Sequence, residues 1–316
     1  MSDRGLRTSR FLSGTQWQDW KAFPLASDAS ARRYWRLTGP AGRTAILMDA
    51  DPATGENVTP FLAIAQWLIA NGLSAPGLLH GNVPQGLLLI DDLGPETVAA
   101  AAANVTEDIL YDAAVDVLVV LDRLTPPPGL KVMTPGVGAE MVAITAEAYH
   151  PCDPAPLVGA MRDALAAHAP TASHLALRDY HAENLIWQPQ AAGLHRIGLL
   201  DFQDAFVAPR GYDLASLLRD IRRTVSAAQV TRQTARFAAA VGIDPDALAA
   251  QLATLGAQRN LRILGVFARL DARGKPRYAD MLPRVWDQLL ADLDHPALTD
   301  LRRIVVTMLP RPQDRR

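Results

Sequence analysis

Two short apolar runs in the middle of the chain, joined by a turn-rich link, constrain the fold more than any other stretch. The runs cover residues 185–187 and 197–200, with residues 188–195 between them. This pattern predicts an antiparallel β-hairpin. In a hairpin, the residue that enters the first strand lies beside the residue that leaves the second. The sequence therefore predicts that Asn184 and Asp201 are neighbours.

An amide oxygen beside a carboxylate makes an oxygen-only site. Mg²⁺ accepts such ligands when phosphate oxygens and water complete its coordination shell. Asp179 stands five residues before Asn184, in the loop that leads into the hairpin. We expect its carboxylate to face whatever the metal holds. Asn184 and Asp201 are thus the predicted metal ligands.

The order of these residues matches the protein-kinase signature. In that signature an Asn follows the catalytic Asp by five residues, and the metal-binding Asp of D-F-G comes one hairpin later. Here Asp179, Asn184 and the pair Asp201-Phe202 fall in that register. Taken singly, D-x-x-x-x-N is common in long chains and Asp-Phe is usually a strand end. The ordered combination favours phosphoryl transfer, with Asp179 as the catalytic residue.

The segments RDYHAENLIW and GLLDFQDAFVAPRGYDLASLLRD resemble the aminoglycoside-phosphotransferase and choline-kinase superfamily of small-molecule kinases. Three others, ASDASARRYWRL, LLLIDDLG and QRNLRILGVFARL, are similar to its N-acetylmuramate/N-acetylglucosamine anomeric kinase branch. The resemblance implies a protein-kinase-like, bilobal α/β fold, with a strand-rich lobe at residues 1–91 and a mostly helical lobe at residues 92–316. It also implies ATP and Mg²⁺ as cofactors and an amino sugar as the substrate.

A small polar link joins the predicted strands at residues 21–25 and 34–37. In the kinase interpretation this link covers the ATP phosphates. Its candidate nucleotide-binding residues are Ser27, Ala29, Ser30, Arg32 and Arg33. The link lacks the glycines of G-x-G-x-x-G, and an ordinary hairpin turn with Asp28 and Ser30 as turn residues is the alternative.

The next predicted strand, at residues 44–50, lacks the ATP-binding lysine of the kinase signature. A guanidinium can grip phosphate oxygens in a bidentate manner, so Arg32, Arg33 and Arg43 are candidates for the missing charge. For each of them, a solvated arginine on a small lobe is the alternative.

The segment DDLG at residues 91–94 corresponds to the hinge of the kinase fold. Its backbone, rather than its side chains, would pair with adenine. This interpretation assigns Asp91 and Leu93 to cofactor binding. A polar turn before the next helix is compatible with the same residues.

Periodicity predicts the main helices. We expect a short helix within residues 1 to about 20, around Trp17 and Trp20. We also expect a helix opened by Thr59-Pro60 and one alanine-rich helix from residue 98 to residue 124. Residues 133–169 contain two helical patterns broken by a Pro-rich insertion, where a substrate cap would form.

Two features concern the C-terminal half. The resemblance implies that Asp213 braces the catalytic loop. A predicted long helix, opened by Asp244-Pro245, carries Arg259, Arg262 and Arg269. These arginines either reach an anionic substrate or cover the helix's polar face, and the second interpretation is favoured because charged stripes on helices are usually solvated.

Composition excludes several classes of protein. The net charge of -2 gives no electrostatic case for a nucleic-acid partner. Since no apolar stretch approaches eighteen residues and no signal-like segment opens the chain, we expect a cytoplasmic location without membrane association. The only cysteine, Cys152, permits no intrachain disulfide and lacks the flanks of a catalytic thiol. No obligate protein partner is evident.

The sequence leaves other functions open. An aminoglycoside or amino-alcohol kinase would need an acidic cluster, whereas the acids of residues 133–169 are scattered. The missing strand lysine suggests a non-catalytic, pseudokinase-like module, but the intact D-x-x-x-x-N and D-F motifs argue against it. A metal hydrolase that uses His174, Asp179 and His181 is disfavoured because two histidines seven apart match no recognised ligand spacing.

Overall fold

Five short strands near the N-terminus form one antiparallel sheet in the computed structural model, which describes residues 3–25 and 31–315. Across the sheet the strands lie in the order β1 (Lys21–Leu25), β2 (Arg33–Thr38), β3 (Thr44–Asp49), β5 (Leu87–Ile90) and β4 (Leu78–Asn82). All four residues of β5 are buried. The first three strands predicted from the sequence are confirmed.

Four further strands form two antiparallel pairs, β6 (Ala172–Ala176) with β9 (Phe206–Pro209) and β7 (Leu185–Trp187) with β8 (Ile197–Leu199). The α-helices of the described residues are α1 (Asp3–Leu12), α2 (Thr59–Ala70), α3 (Val98–Ala101), α4 (Glu107–Arg123), α5 (Pro135–Glu140), α6 (Ala155–His168), α7 (Tyr212–Leu218), α8 (Ala227–Val241), α9 (Pro245–Ala272), α10 (Leu282–Leu293) and α11 (Thr299–Met308). Within the described ranges, no helix is long and apolar enough to cross a membrane.

Contacts between residues group these elements into two units. The first unit comprises Met1–Ala101 and Asn184–Asp204, and the second comprises Ala102–Glu183 and Ala205–Arg316. The five-stranded sheet, α2 and the β7–β8 pair belong to the first unit, whereas the β6–β9 pair and the helices from α4 onward belong to the second. The lobe boundary predicted at residue 91 stays a prediction.

One face of the five-stranded sheet forms a core with α1, because alternate residues of a strand point to the same side. The residues of this core are Phe11, Leu37, Ala45, Leu47, Leu87 and Leu89. The short helix predicted within residues 1 to about 20 is confirmed as α1, but it ends at Leu12, so its predicted position around Trp17 and Trp20 is wrong. Gly14, with φ +74°, follows the end of α1 in the left-handed conformation that stops a helix. The two tryptophan rings lie after it and pack against the same core.

The predicted hairpin of β7 and β8 is confirmed. Its register places Leu185 opposite Leu199 and Ile186 opposite Gly198. Both outer edges are also occupied, since Gly198 bridges to Ser74 and Ile186 bridges to Thr97. An isolated two-stranded hairpin is marginal in water, so the two flanking bridges stabilise it. The hairpin therefore holds Asn184 and Asp201, the residues at its open end, in place.

The segment predicted as one helix from residue 98 to residue 124 forms two helices, so that prediction is wrong. α3 ends at Ala101, and Thr106 precedes α4 with φ −57° and ψ 131°, outside the helical region. Glu107 and Asp108 occupy the first turn of α4. Acidic side chains stabilise a helix N-terminus, and Thr before them is a start signal. These local signals outweigh the helix propensity of alanine.

The long helix α9 packs against α6, α7, α8 and α10. Its predicted start is confirmed, because the Asp244 carboxylate accepts a hydrogen bond of 2.9 Å from the Ala247 N–H. Further along, a Cβ atom on Gly265 would lie 2.6 Å from the carbonyl carbon and oxygen of Ile144 and 2.7 Å from the nitrogen of Thr145. The close approach of α9 to this backbone therefore requires glycine.

We expect Gly265→Ala to destabilise the protein by roughly 1–3 kcal/mol, because backbone atoms must move to admit the methyl group. Gly159→Ala in α6 is the matched control, since nothing lies within 4 Å of a Cβ at that position. The control should instead stabilise the protein by about 0.5–1 kcal/mol, the usual gain for alanine in a helix. Urea unfolding of both variants measures the difference. Equal free energies of unfolding would contradict the packing described for α9.

Candidate active site

The buried carboxylate of Asp213 holds the backbone of the loop between β6 and β7. Asp213, in the first turn of α7, accepts hydrogen bonds from the N–H of Leu177 (2.6 Å, Oδ2) and the N–H of Arg178 (2.9 Å, Oδ1). Arg259 of α9 donates from Nη1 to the carbonyl of Arg178 at 2.8 Å. The backbone just before Asp179 is therefore fixed by three hydrogen bonds. The predicted bracing role of Asp213 is confirmed.

The loop between β6 and β7 is called the catalytic loop because the sequence predicts Asp179 as the catalytic residue. This loop and the hairpin both contain unusual backbone conformations. Three non-glycine residues in the described part of the chain have positive φ, and two of them are Arg178 (φ +79°) and Asp201 (φ +58°). A left-handed conformation costs a non-glycine residue roughly 1–3 kcal/mol and persists where the surroundings enforce it. Such strain clusters at functional sites. Both residues stand in the kinase-like motif.

Asp179 is half-buried, and the two residues that follow it, Tyr180 and His181, are buried. The next residue, Tyr180, is 1% exposed and donates from its hydroxyl to the Ala114 carbonyl of α4 at 2.7 Å. The carbonyl of Asp179 accepts from the N–H of His181 at 3.1 Å. The loop thus leaves the Asp179 carboxylate partly accessible while its neighbours hold the backbone.

His174 and His181, the two histidines of the metal-hydrolase alternative, have different surroundings from each other. Burial, together with the positive charges of Arg222 and Arg259, lowers the pKa of His181 to about 2, so its ring is neutral at physiological pH. His174 Nε2 lies 3.4 Å from a carboxylate oxygen of Asp122. No group of three or more His, Cys, Asp or Glu side chains in residues 3–25 and 31–315 could hold a metal ion. The hydrolase interpretation gains no support.

The predicted metal ligands Asn184 and Asp201 are neighbours. Asn184 Nδ2 lies 3.3 Å from Asp201 Oδ2, and the Leu200 N–H donates to the Asn184 carbonyl at 3.0 Å. Gln203 Nε2 donates to the other carboxylate oxygen of Asp201 at 2.7 Å. Asp201 is exposed. The donor set of one amide and one carboxylate fits a hard cation whose other ligands are phosphate oxygens and water.

Phe202 fixes the position of Asp201 from the other side. Its ring is fully buried and stacks on Phe61 of α2, with centroids 5.1 Å apart and planes 14° from parallel. Aromatic pairs of this kind add roughly 0.5–1.5 kcal/mol beyond the burial of their area. Within the Asp201-Phe202 pair, the buried ring of Phe202 therefore anchors the turn, whereas the side chain of Asp201 is exposed to solvent.

The predicted phosphate-binding residues are only partly described. Ser27, Ala29 and Ser30, with the turn residue Asp28, lie outside the described residues. Arg43 lies over the ring of Trp20, 5.4 Å from its centroid. The two remaining candidates, Arg32 and Arg33, both pair with carboxylates.

Arg32 is buried and donates from Nε to Glu56 Oε2 at 2.7 Å, while the N–H of Ala31 donates to the other Glu56 oxygen at 3.2 Å. Burial lowers the pKa of Arg32, but the neighbouring Tyr34 phenol and Glu56 carboxylate outweigh it and the pKa is raised. Sequence reasoning missed Tyr34 and Glu56. Burial chiefly raises the pKa of Tyr34, and the negative charge of Asp201 adds to that rise.

Arg33 lies half exposed and donates from Nη2 to Asp49 Oδ2 at 2.7 Å. The same carboxylate is 1% exposed and also receives the guanidinium of Arg4. Arg4 also lies 3.6 Å from a carboxylate oxygen of Asp51, so two arginines and two carboxylates form one cluster. The nucleotide-binding role of Arg32 and Arg33 stays a prediction.

The DDLG segment is fixed by side chains that sequence reasoning did not single out. Arg36 donates from Nε and Nη2 to both oxygens of Asp92, at 2.6 and 3.0 Å. The Asp91 N–H donates to the Gly77 carbonyl at 2.9 Å. Neither the carbonyl of Asp91 nor the N–H of Leu93 bonds to another of the described residues. These two groups suit the predicted backbone pairing with adenine.

The strand-rich unit, the helical unit and the D-x-x-x-x-N and D-F motifs define a protein-kinase-like phosphotransferase. Residues 21–251 match the phosphotransferase enzyme family, and the chain belongs to that family. The N-acetylmuramate/N-acetylglucosamine kinase of Caulobacter vibrioides is 36% identical, covering 95% of this chain and 95% of that protein.

Two solved structures share the fold. A choline/ethanolamine kinase family protein from Mesorhizobium loti has a TM-score of 0.66 and 13% identity, covering 96% of this chain and 99% of that one. Amicoumacin kinase hAmiN, in complex with AMP-PNP and Ca²⁺, has a TM-score of 0.63 and 17% identity, covering 95% and 96%. The predicted protein-kinase-like α/β fold is confirmed.

Of the arginines of α9, Arg259 departs from the favoured, solvated interpretation, whereas Arg269 agrees with it. Arg259 donates to the Arg178 carbonyl and, from Nη2, to Ser216 Oγ at 2.6 Å. Arg269 is exposed and pairs with Glu147 at 3.0 Å. The solvated interpretation is therefore wrong for Arg259, which supports the catalytic loop, and correct for Arg269.

We expect kcat to fall as the pH drops through about 6. Burial raises the pKa of Asp213 to about 6, although the Leu177 and Arg178 N–H groups oppose the shift. Below that pH the protonated carboxyl no longer accepts both hydrogen bonds, and the loop loosens. Asp213→Asn should lower kcat and remove this acid limb from the kcat–pH profile.

Asp292→Asn is the control for this profile. Burial likewise raises the pKa of Asp292 to about 6, but its partners are Arg219 and Asn260 rather than the loop. The control should keep the acid limb. A limb that survives in Asp213→Asn and disappears in Asp292→Asn would show that the loop does not depend on Asp213.

Proposed function

We propose that this protein is a cytoplasmic, ATP-dependent kinase that phosphorylates the anomeric hydroxyl of N-acetylmuramate, N-acetylglucosamine or both, in the recycling of cell-wall sugars. The observation that carries the sugar assignment is the 36% identity, along 95% of both chains, to a kinase named for these two sugars. The braced loop that carries Asp179 supports the transfer chemistry.

In this proposal Asp179 orients the acceptor hydroxyl and takes its proton. Phosphoryl transfer passes through a loose transition state that needs little nucleophilic push, so alignment contributes more than basicity. Alignment requires a carboxylate on a fixed backbone. The hydrogen bonds from Leu177 and Arg178 to Asp213 supply that rigidity.

Asn184 and Asp201 are the proposed ligands of Mg²⁺. When bound, the ion would offset the negative charge of the ATP phosphates during transfer. The AMP-PNP and Ca²⁺ bound to amicoumacin kinase hAmiN support a nucleotide and a divalent cation in this fold. Mg²⁺ suits the pair because it keeps several water ligands and needs few side chains from the protein.

The nucleotide is proposed to bind through the first unit. The carbonyl of Asp91 and the N–H of Leu93 would pair with the adenine edge, and the Arg36–Asp92 pair holds their segment in place. Arg32 and Arg33 are the proposed sources of positive charge for the phosphates. The resemblance also assigns the preceding loop, with Ser27, Ala29 and Ser30, to phosphate contact.

We expect Asp179→Asn to lower kcat by roughly two to four powers of ten, the usual contribution of a general base, with little change in the KM for ATP. Asparagine keeps the shape but cannot take the proton. Steady-state assays with ATP, Mg²⁺ and N-acetylmuramate measure both constants. Glu183→Gln is the control, because Glu183 is an exposed acid four residues away that pairs with Arg222 at 3.2 Å.

The acceptor position is tested with the wild-type protein. Phosphorus NMR of the product should place the phosphate on the anomeric oxygen, and a 1-O-methyl glycoside of the same sugar should not react. Phosphorylation of the blocked glycoside as fast as the free sugar would rule out the anomeric assignment. Full activity of Asp179→Asn would rule out the proposed role of the aspartate.

We expect Asp201→Ala to lower turnover by several powers of ten and to raise the Mg²⁺ concentration needed for half-maximal rate, since one of two protein ligands is lost. Asp19→Ala, which removes an exposed carboxylate from the same unit, is the control. A magnesium titration of the initial rate measures the effect. Near-wild-type turnover of Asp201→Ala at limiting Mg²⁺ would contradict the metal assignment.

A further inference from the structure

Arg262 of α9 differs from the other shielded arginines of the protein. Arg259 and Arg269, on the same helix, both bind oxygen atoms. Arg262 is half-buried, yet within residues 3–25 and 31–315 it makes no hydrogen bond, ion pair or ring contact. Every other described arginine that is not exposed makes at least one such contact. Arg262 is thus a partly buried arginine that has no bonding partner among the described residues.

This arrangement costs free energy. A guanidinium stays ionised in proteins, and removing a charge from water is unfavourable unless another group compensates it. The pKa of Arg262 is lowered, first by burial and then by the positive charge of Arg178, while Tyr212 and Asp179 oppose the shift. An unpaired, partly desolvated charge of this kind is typical of a site that awaits an oppositely charged ligand.

The position of Arg262 on α9 shows which part of the protein such a ligand would contact. Arg262 follows Arg259 by three residues, so the two lie on one side of α9, roughly 4.5 Å apart along its axis. Arg259 holds the carbonyl of Arg178, the residue before Asp179. The charge of Arg262 also interacts with the Asp179 carboxylate. Arg262 therefore lies beside the catalytic loop, in the same unit as Asp179.

Positive charge predominates around Arg262. Of the ionised groups that shift its pKa, Arg178 and Arg259 are positive and Asp179 is negative. The guanidinium of Arg259 is already committed to a carbonyl and a hydroxyl. An additional anion at Arg262 would compensate the excess positive charge.

We propose that Arg262 binds the carboxylate of an amino sugar that carries a carboxyalkyl ether at carbon 3, as N-acetylmuramate does, and so favours it over N-acetylglucosamine. This inference rests on the proposed function. The two sugars share the ring, the acetamido group and the anomeric hydroxyl. They differ at carbon 3, two ring carbons from the reacting centre. The carboxylate is the charge that distinguishes the two sugars, and Arg262 lies beside the loop that carries Asp179.

The test compares the two sugars in Arg262→Gln. Loss of a hydrogen-bonded charge pair should lower the kcat/KM ratio of N-acetylmuramate to N-acetylglucosamine by roughly 10- to 100-fold, mainly through the KM for N-acetylmuramate. Arg262→Lys should lose less, since it keeps the charge but not the bidentate geometry. Arg269→Gln is the control, and the ratio should stay at the wild-type value.

A second substrate completes a double-mutant cycle with these proteins. The methyl ester of N-acetylmuramate lacks the negative charge, so wild type should disfavour it relative to the acid, whereas Arg262→Gln should not distinguish the two. Because the variant removes an unpaired charge, its melting temperature should equal or exceed that of wild type. A lower melting temperature with equal losses for all sugars would identify a structural role and overturn the proposal.

Other outcomes separate this inference from the proposed function. Wild type that phosphorylates neither sugar would overturn the proposed function itself. Wild type that phosphorylates both, with an Arg262→Gln ratio unchanged, would overturn only the role of Arg262. A rise in the KM for ATP without a change in the ratio would assign Arg262 to the nucleotide phosphates and overturn its role in sugar selection.

Discussion

The buried carboxylate of Asp213 is the interaction on which the catalytic loop depends. Its two hydrogen bonds from Leu177 and Arg178 hold a left-handed arginine that would otherwise relax. Hydrogen bonds to a charged group contribute roughly 1.5–3 kcal/mol each, enough to offset a strained residue. Arg259 completes the support from α9. The orientation of Asp179 is therefore set by residues distant in sequence.

In the first unit, the β7–β8 hairpin positions the proposed metal ligands. Its bridged edges keep Asn184 beside Asp201, and the stacking of Phe202 on Phe61 fixes the turn that follows. At Gly198, a Cβ would lie 2.9 Å from the Leu93 side chain, so the hairpin also packs closely against the DDLG segment. The proposed metal ligands and the proposed adenine-pairing segment thus share one support.

Arginine provides most of the basic side chains of this chain. The chain has lysine only at Lys21, Lys131 and Lys275. Instead, Arg32 pairs with Glu56, and Arg259 of α9 binds the carbonyl of Arg178. A guanidinium offers several donors in a fixed plane, so one residue can hold a backbone carbonyl and a side chain together. Arg259 does this, whereas Arg262 bonds to none of the described residues.

Local patterns by themselves determined the hairpin, the long helix α9, the kinase-like motif and, through their register, the pairing of Asn184 with Asp201. These features depend on strand period, turn residues and caps, which act over a few residues. The family resemblance implied that Asp213 braces the catalytic loop, but tertiary structure alone decided which carboxylate each arginine meets and which backbone groups Asp213 and Arg259 hold. Asp213 stands 36 residues from Leu177, and Arg259 stands 81 residues from Arg178. No local pattern specifies such partners, because packing between distant elements selects them.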